Sequence, residues 1–156
     1  MPADPSDVIR LLCSLRSLRR YRDDPVPDEV VRDVLEAGRW CGSARNRQPW
    51  QFVVVRDPAT RAQLARLGPY AEFVADAPVC IAVVMDGEGT GFSFDAGRVT
   101  QTLLLAAHAH GIGSCNAGIA PAEHERAALQ LLGVPPGHSL GMVVALNGPF
   151  RNCVAG

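Results

Sequence analysis

Three guanidiniums and a hydroxyl fall within six residues in Arg16-Ser17-Leu18-Arg19-Arg20-Tyr21. Guanidinium forks grip phosphate or carboxylate oxygens bidentately, and a serine adds one more donor, so the run suits a terminal phosphate. A solvated basic face just past a helix C-terminus would use the same residues, because cations complement the dipole there. A second cluster is Ser43-Ala44-Arg45-Asn46-Arg47-Gln48-Pro49-Trp50. Its hydroxyl and two amides offer donors and acceptors matched to a polar, planar heterocycle, with Trp50 placed to anchor the loop in the core. Ordinary loop polarity is the alternative.

Other arrangements carry less chemistry. Gly87-Glu88-Gly89-Thr90-Gly91 sits between a strand and a helix, but a dinucleotide fingerprint needs a glycine where the chain has Phe92. A surface loop is the better reading. The five cysteines, Cys13, Cys41, Cys80, Cys115 and Cys153, are far apart and odd in number, which argues against a disulfide framework. Cys80 and Cys115 read as buried strand residues. His108 and His110 lie two apart on a helix, so they point to different sides and cannot share a metal. No metal site is expected.

These clusters must be positioned by one domain of 156 residues, 47% of them hydrophobic and 20% charged, with a mean hydropathy of +0.07. That composition supports a packed core and excludes disorder. No apolar run has the length of about 18 that a membrane span requires, and a cytoplasmic protein is expected. The net charge is −1, every basic residue is arginine, and 12 of the 15 lie in residues 1–66. The basic run is too short, and too poor in aromatics, to indicate nucleic acid.

Periodicity and punctuation give the elements. Asp4-Pro5 caps a helix to about Ser14, and a second helix runs from Asp28 to about Trp40. Residues 41–49 are a loop, 51–55 a strand, and Asp57-Pro58 caps a helix stopping at Gly68. A short helix over 70–75 precedes a buried strand over 79–85. Residues 94–110 form a helix that is apolar nearly all round, which predicts burial on every side, with a second subunit supplying one of them. Strands over 112–117 and 140–146 flank a helix over 121–132. The class is α+β.

Arg16-Ser17-x-Arg19-Arg20-Tyr21, Pro25-Val26-Pro27, Ser43-x-x-Asn46-Arg47-Gln48-Pro49-Trp50 and Gly111-Ile112-Gly113-Ser114-Cys115-Asn116-Ala117-Gly118, in that order, resemble the FMN-dependent nitroreductase family over residues 8–148. The resemblance implies an α-β-α sandwich, its central sheet mainly antiparallel and flanked by helices, forming a homodimer with flavin sites at the interface. It implies a single domain over 1–156 with a C-terminal arm shorter than the family's. Arg16, Ser17 and Arg19 would hold the phosphate end and pyrimidine edge of FMN. Ser43, Asn46 and Gln48 would belong to the cofactor site, with Ser43 and Asn46 reaching across from the other subunit. Ala117 and Gly118 would line the ring, the Gly118 N–H facing N5. The family usually has another arginine where this chain has Leu15.

The activity so implied is electron transfer from NAD(P)H through bound flavin to a nitroaromatic, quinone or related acceptor, the flavin carrying the chemistry without a protein nucleophile. A flavin dehydrogenase acting on an amide or heterocycle, and a non-catalytic flavin- or ligand-binding homologue, are the alternatives.

Overall fold

The computed structural model describes residues 4–149; the ending, expected to be shorter than the family's C-terminal arm, lies outside them. Helices α1 (Pro5–Ser14), α2 (Asp28–Arg39), α3 (Pro58–Ala65), α4 (Thr90–Ala109) and α5 (Ala122–Leu131) accompany strands β1 (Trp50–Val55), β2 (Val79–Met85), β3 (Ile112–Ala117) and β4 (Ser139–Pro149). The strands form one antiparallel sheet in the order β1-β2-β4-β3. The fold is α+β, as the sequence leads one to expect.

Strand alternation builds the layers. Val79, Ile81, Val83 and Met85 of β2, with Val144 and Leu146 of β4, face α2 and α4. Cys80 and Ala82 of β2, with Val143 and Ala145 of β4, face α3, α5 and the short 3₁₀ turn Glu72–Val74. Successive side chains point to opposite faces, so a strand covered on both sides must be apolar throughout, and every residue of β2 is buried. Asp4 and Asp57 cap α1 and α3 by accepting the N–H groups of Ser6 and Thr60, each with proline at the first helical position.

Four boundaries differ from the sequence reading. α4 begins at Thr90, not at 94, because Gly89, at φ 103°, turns the chain so that its carbonyl accepts the Ser93 N–H. β4 runs on past 146 to Pro149, paired with Ile112. The helix over 70–75 is reduced to the turn at 72–74. The helix capped at Asp57 ends at Ala65 rather than at Gly68. One side of α4 also stays open: Phe94 is 67% exposed, and Gly97, Arg98 and Gln101 are exposed beside it. Its buried side is carried by Ala96, Val99, Leu103, Leu104 and Ala107.

Candidate functional site

The arginine run continues the sheet at the β3 edge. Ser17 bridges Ser114 in parallel, and the Leu18 N–H donates to the Ser114 carbonyl at 3.0 Å. Backbone pairing with β3 therefore fixes Arg16, Ser17 and Arg19 along that edge, all three with exposed side chains. Arg16 Nη1 donates to the Cys13 and Leu15 carbonyls at 2.9 and 2.7 Å, closing the C-terminus of α1. Arg19 lies 5.8 Å from the Phe73 ring centroid, over a cleft of about 790 Å³ shared with Pro69, Tyr70, Glu72 and Asp76. Burial raises the Cys115 thiol, while Arg19 and Ser17 alongside act to lower it. Cys115 is 1% exposed and serves the core.

Ala117 ends β3 on the same edge. Gly118 follows with open space where a side chain would stand, and its carbonyl packs against Gly68 so closely that a Cβ there would lie 2.6 Å away. The structure thus brings Arg16, Ser17, Arg19, Ala117 and Gly118 to one edge, with cationic and hydroxyl donors beside an uncovered stretch of backbone. That donor set fits a phosphate joined to a flat, polar ring system.

The second cluster lies elsewhere. Ser43, Asn46 and Gln48 sit on the loop between α2 and β1, built around a 3₁₀ turn, Ala44–Asn46. Arg45, Asn46 and Gln48 adopt φ of 55°, 52° and 49°. Asparagine tolerates this left-handed region; arginine and glutamine enter it at a cost of about 1 kcal/mol or more. The loop is held by the Gln48 N–H donating to Ser43 Oγ at 2.7 Å, the Asn46 N–H to the Ser43 carbonyl at 3.0 Å, and Gln48 Nε2 to the Arg39 carbonyl at 3.0 Å. Gln48 thereby commits a side-chain N–H to pinning the loop to the end of α2. The Asn46 side chain is exposed, and Trp50 is buried in the core as expected.

The register shows how far apart the clusters stand. Trp50 is level with Met85 and Ser139, whereas the Ser17–Ser114 bridge is level with Leu146 and Val79. The arginine run and the loop occupy opposite edges and opposite ends of the sheet, on the order of 25 Å apart from strand rise and spacing, while Ala117, level with Val143, Ala82 and Val53, stands nearer the loop.

Asp95 escapes the sequence reading. It is 1% exposed and accepts the Ala44 N–H at Oδ2, 3.2 Å away. An acid breaking an apolar helical stripe was the available signal. His108 and His110 diverge as expected, to Ser14 Oγ at 2.8 Å and to Asp33 at 3.2 Å. Among the described residues no group of three or more His, Cys, Asp or Glu side chains could hold a metal, and no helix is long and apolar enough to cross a membrane.

Residues 14–71 and 65–148 match the nitroreductase family. A Methanothermobacter thermautotrophicus protein, a candidate NADH dehydrogenase/NAD(P)H nitroreductase by name, is 34% identical over 151 residues, covering 94% of this chain and 79% of its own length. A candidate nitroreductase from Desulfovibrio desulfuricans, crystallised in complex with FMN, is 33% identical with a TM-score of 0.84, covering 99% of this chain and 92% of that one. A candidate NADH dehydrogenase/NAD(P)H nitroreductase from Bacteroides thetaiotaomicron superposes with a TM-score of 0.86 at 26% identity, over 94% of this chain and 88% of that one. With both fold and sequence in agreement, the chain belongs to the nitroreductase family.

Proposed function

We propose that the chain is an FMN-dependent oxidoreductase, cytoplasmic and homodimeric, which passes electrons from NAD(P)H to a nitroaromatic, a quinone or a related small acceptor. The observation that carries the reading is the donor edge beside β3, where Arg16, Ser17 and Arg19 stand next to the open backbone at Gly118. The FMN complex of the Desulfovibrio relative and the names of the other relatives support it.

On this reading Arg16 and Ser17 hold the phosphate end. Arg19 sets a positive charge at the pyrimidine edge, and Ala117 and Gly118 line the ring. Ser43 and Asn46 reach the same flavin from the second copy, the arrangement that the distance between the clusters calls for, with Gln48 bracing their loop. Bound FMN would supply hydride acceptance and electron release. The protein's part is to fix the ring, to place charge where electron density grows, and to leave the Arg19–Tyr70–Phe73 cleft open for a planar acceptor.

Titration of the purified protein with FMN tests the reading, followed by anaerobic addition of NADH or NADPH. The expected result is stoichiometric uptake, with visible flavin absorbance that a nicotinamide bleaches. A protein that takes up no FMN would overturn the proposal. Uptake without bleaching by either nicotinamide would replace it with a dehydrogenase that draws electrons from its own substrate.

A further inference from the structure

The left-handed conformation at Arg45, Asn46 and Gln48 needs an anchor outside the loop, because strained backbone persists only where its surroundings over-determine it. Besides Gln48 on the Arg39 carbonyl of α2, the anchoring contacts come from one face of α4. Asp95, Arg98 and Thr102, spaced three and four apart, meet Ala44, Gly42 and Cys41 in turn. Thr102 Oγ1 reaches Cys41 Sγ at 3.4 Å. Arg98 lies so close over Gly42 that a Cβ there would be 2.7 Å from Nη2. Asp95 is the buried member, and a buried carboxylate persists only when paired or hydrogen-bonded. Its Oδ2 accepts the Ala44 N–H, while Oδ1 has no hydrogen-bond partner among the described residues and stands 3.8 Å from Arg98 Nη1.

We infer that Asp95 is a positioning residue for the cofactor site, latching the 43–48 loop so that Ser43 and Asn46 are presented for flavin contact. The inference rests on the proposed FMN reading for its consequence, but the latch itself exists without flavin. α4, with its own core contacts, supplies the rigid support, and the carboxylate transmits its position to the loop through one charge-assisted hydrogen bond.

The test removes that bond from either end. Asp95→Leu deletes the acceptor on the same branched skeleton, with bulkier methyl groups in place of the oxygens. Ala44→Pro deletes the donor at an exposed position, the first of a 3₁₀ turn, where proline suits the backbone. Amide hydrogen exchange on flavin-free protein reads the loop directly, and FMN titration reads the consequence. Each substitution should speed exchange across 45–48 roughly ten- to hundred-fold, as loss of a hydrogen bond to a charged group implies, with residues 79–85 unchanged. FMN affinity should weaken over the same range. The double variant should be no worse than either single one, since both remove one interaction. Asp95→Asn, which keeps an acceptor oxygen, should restore most of the protection.

If Asp95→Leu does not fold, Ala44→Pro and Asp95→Asn carry the test. Unchanged exchange at 45–48 in a folded Asp95→Leu or Ala44→Pro protein would overturn the inference, as would additive effects in the double variant or failure of Asp95→Asn to protect. Wild-type protein that takes up no FMN would overturn the functional reading instead, leaving the exchange result to decide the latch.

Discussion

Adjacent arginines have different work in this fold. Arg19 faces Phe73 and the Cys115 side of the β3 edge, while the neighbouring Arg20, equally exposed, does not line that cleft, and its carbonyl accepts from Asn147 Nδ2 at 3.2 Å. Reduction adds negative charge to the pyrimidine side of a flavin, which a fixed guanidinium stabilises more than it stabilises the oxidised ring. Arg19→Ala should therefore lower the potential of the FMN-loaded protein by tens of millivolts, at about 30 mV for each 1.4 kcal/mol. Arg20→Ala should change it little, because Arg20 lies outside the Arg19 cleft and its distant charge is screened by salt. Spectroelectrochemical titration of the three proteins checks this, and equal potentials for wild type and Arg19→Ala would remove Arg19 from the ring edge. The types and order of these residues were legible in the chain, since a phosphate-sized donor set must be local. The Arg45 and Gln48 dihedrals were not, because arginine and glutamine carry no preference for left-handed backbone, and only Asn46 is a residue that enters it readily. Asp95 was hidden for a related reason: an acid on an apolar helix reads as solvent-facing until the loop that covers it is known.

At the scale of elements, strands were the most legible, because β2 and β4 must be apolar on both faces and are bounded by glycine, proline and polar residues. Ends were harder, because they depend on partners distant in sequence. β4 extends to Pro149 only because Ile112 lies opposite. Gly141 marks another tertiary decision. The β2–β4 register shifts between Val83 and Val84, with Met142 opposite the first and Leu140 opposite the second, so Gly141 is the extra residue of a bulge. A Cβ at 141 would meet the Ala96 Cβ at 2.8 Å and the Val83 carbonyl at 3.3 Å, neither of which can swing away. This glycine lets α4 seat directly on the strand, one residue from Asp95. Gly141→Ala should destabilise the protein by about 1–3 kcal/mol through overpacking, lowering the urea midpoint with little change in m-value. A midpoint equal to that of wild type would show that the α4–β4 contact yields more easily than its geometry indicates.

For the molecule as a whole, the unexplained quantity is apolar surface. None of the ten residues of α1 is buried, although Val8, Ile9 and Leu12 line one side of it at 42%, 58% and 47% exposure. An isolated helix this short is marginal in water and gains its stability from an apolar face that something covers. The open side of α4 adds Phe94, and Trp40, which caps the end of α2 and is 72% exposed, lines a shallow cleft with it. Patches of this kind on a small domain mark an interface. On the proposed homodimeric reading, a second copy would cover them together and would also unite the arginine run with the 43–48 loop, which the sheet holds on the order of 25 Å apart. The protein should therefore sediment at twice its 16.6 kDa chain mass at micromolar concentration. Its interface should be apolar and in the obligate range, above roughly 2,000 Å². Ile9→Asp, placing a charge in the α1 stripe, should shift the protein towards monomer and weaken FMN together with the loss of dimer, although residue 9 belongs to neither donor cluster. Following both readouts across protein concentration separates the causes: affinity for FMN should return as concentration restores the dimer. An Ile9→Asp monomer that binds FMN as tightly as the wild type would place a complete flavin site within one chain, and the exposed faces of α1 and α4 would then need a different occupant.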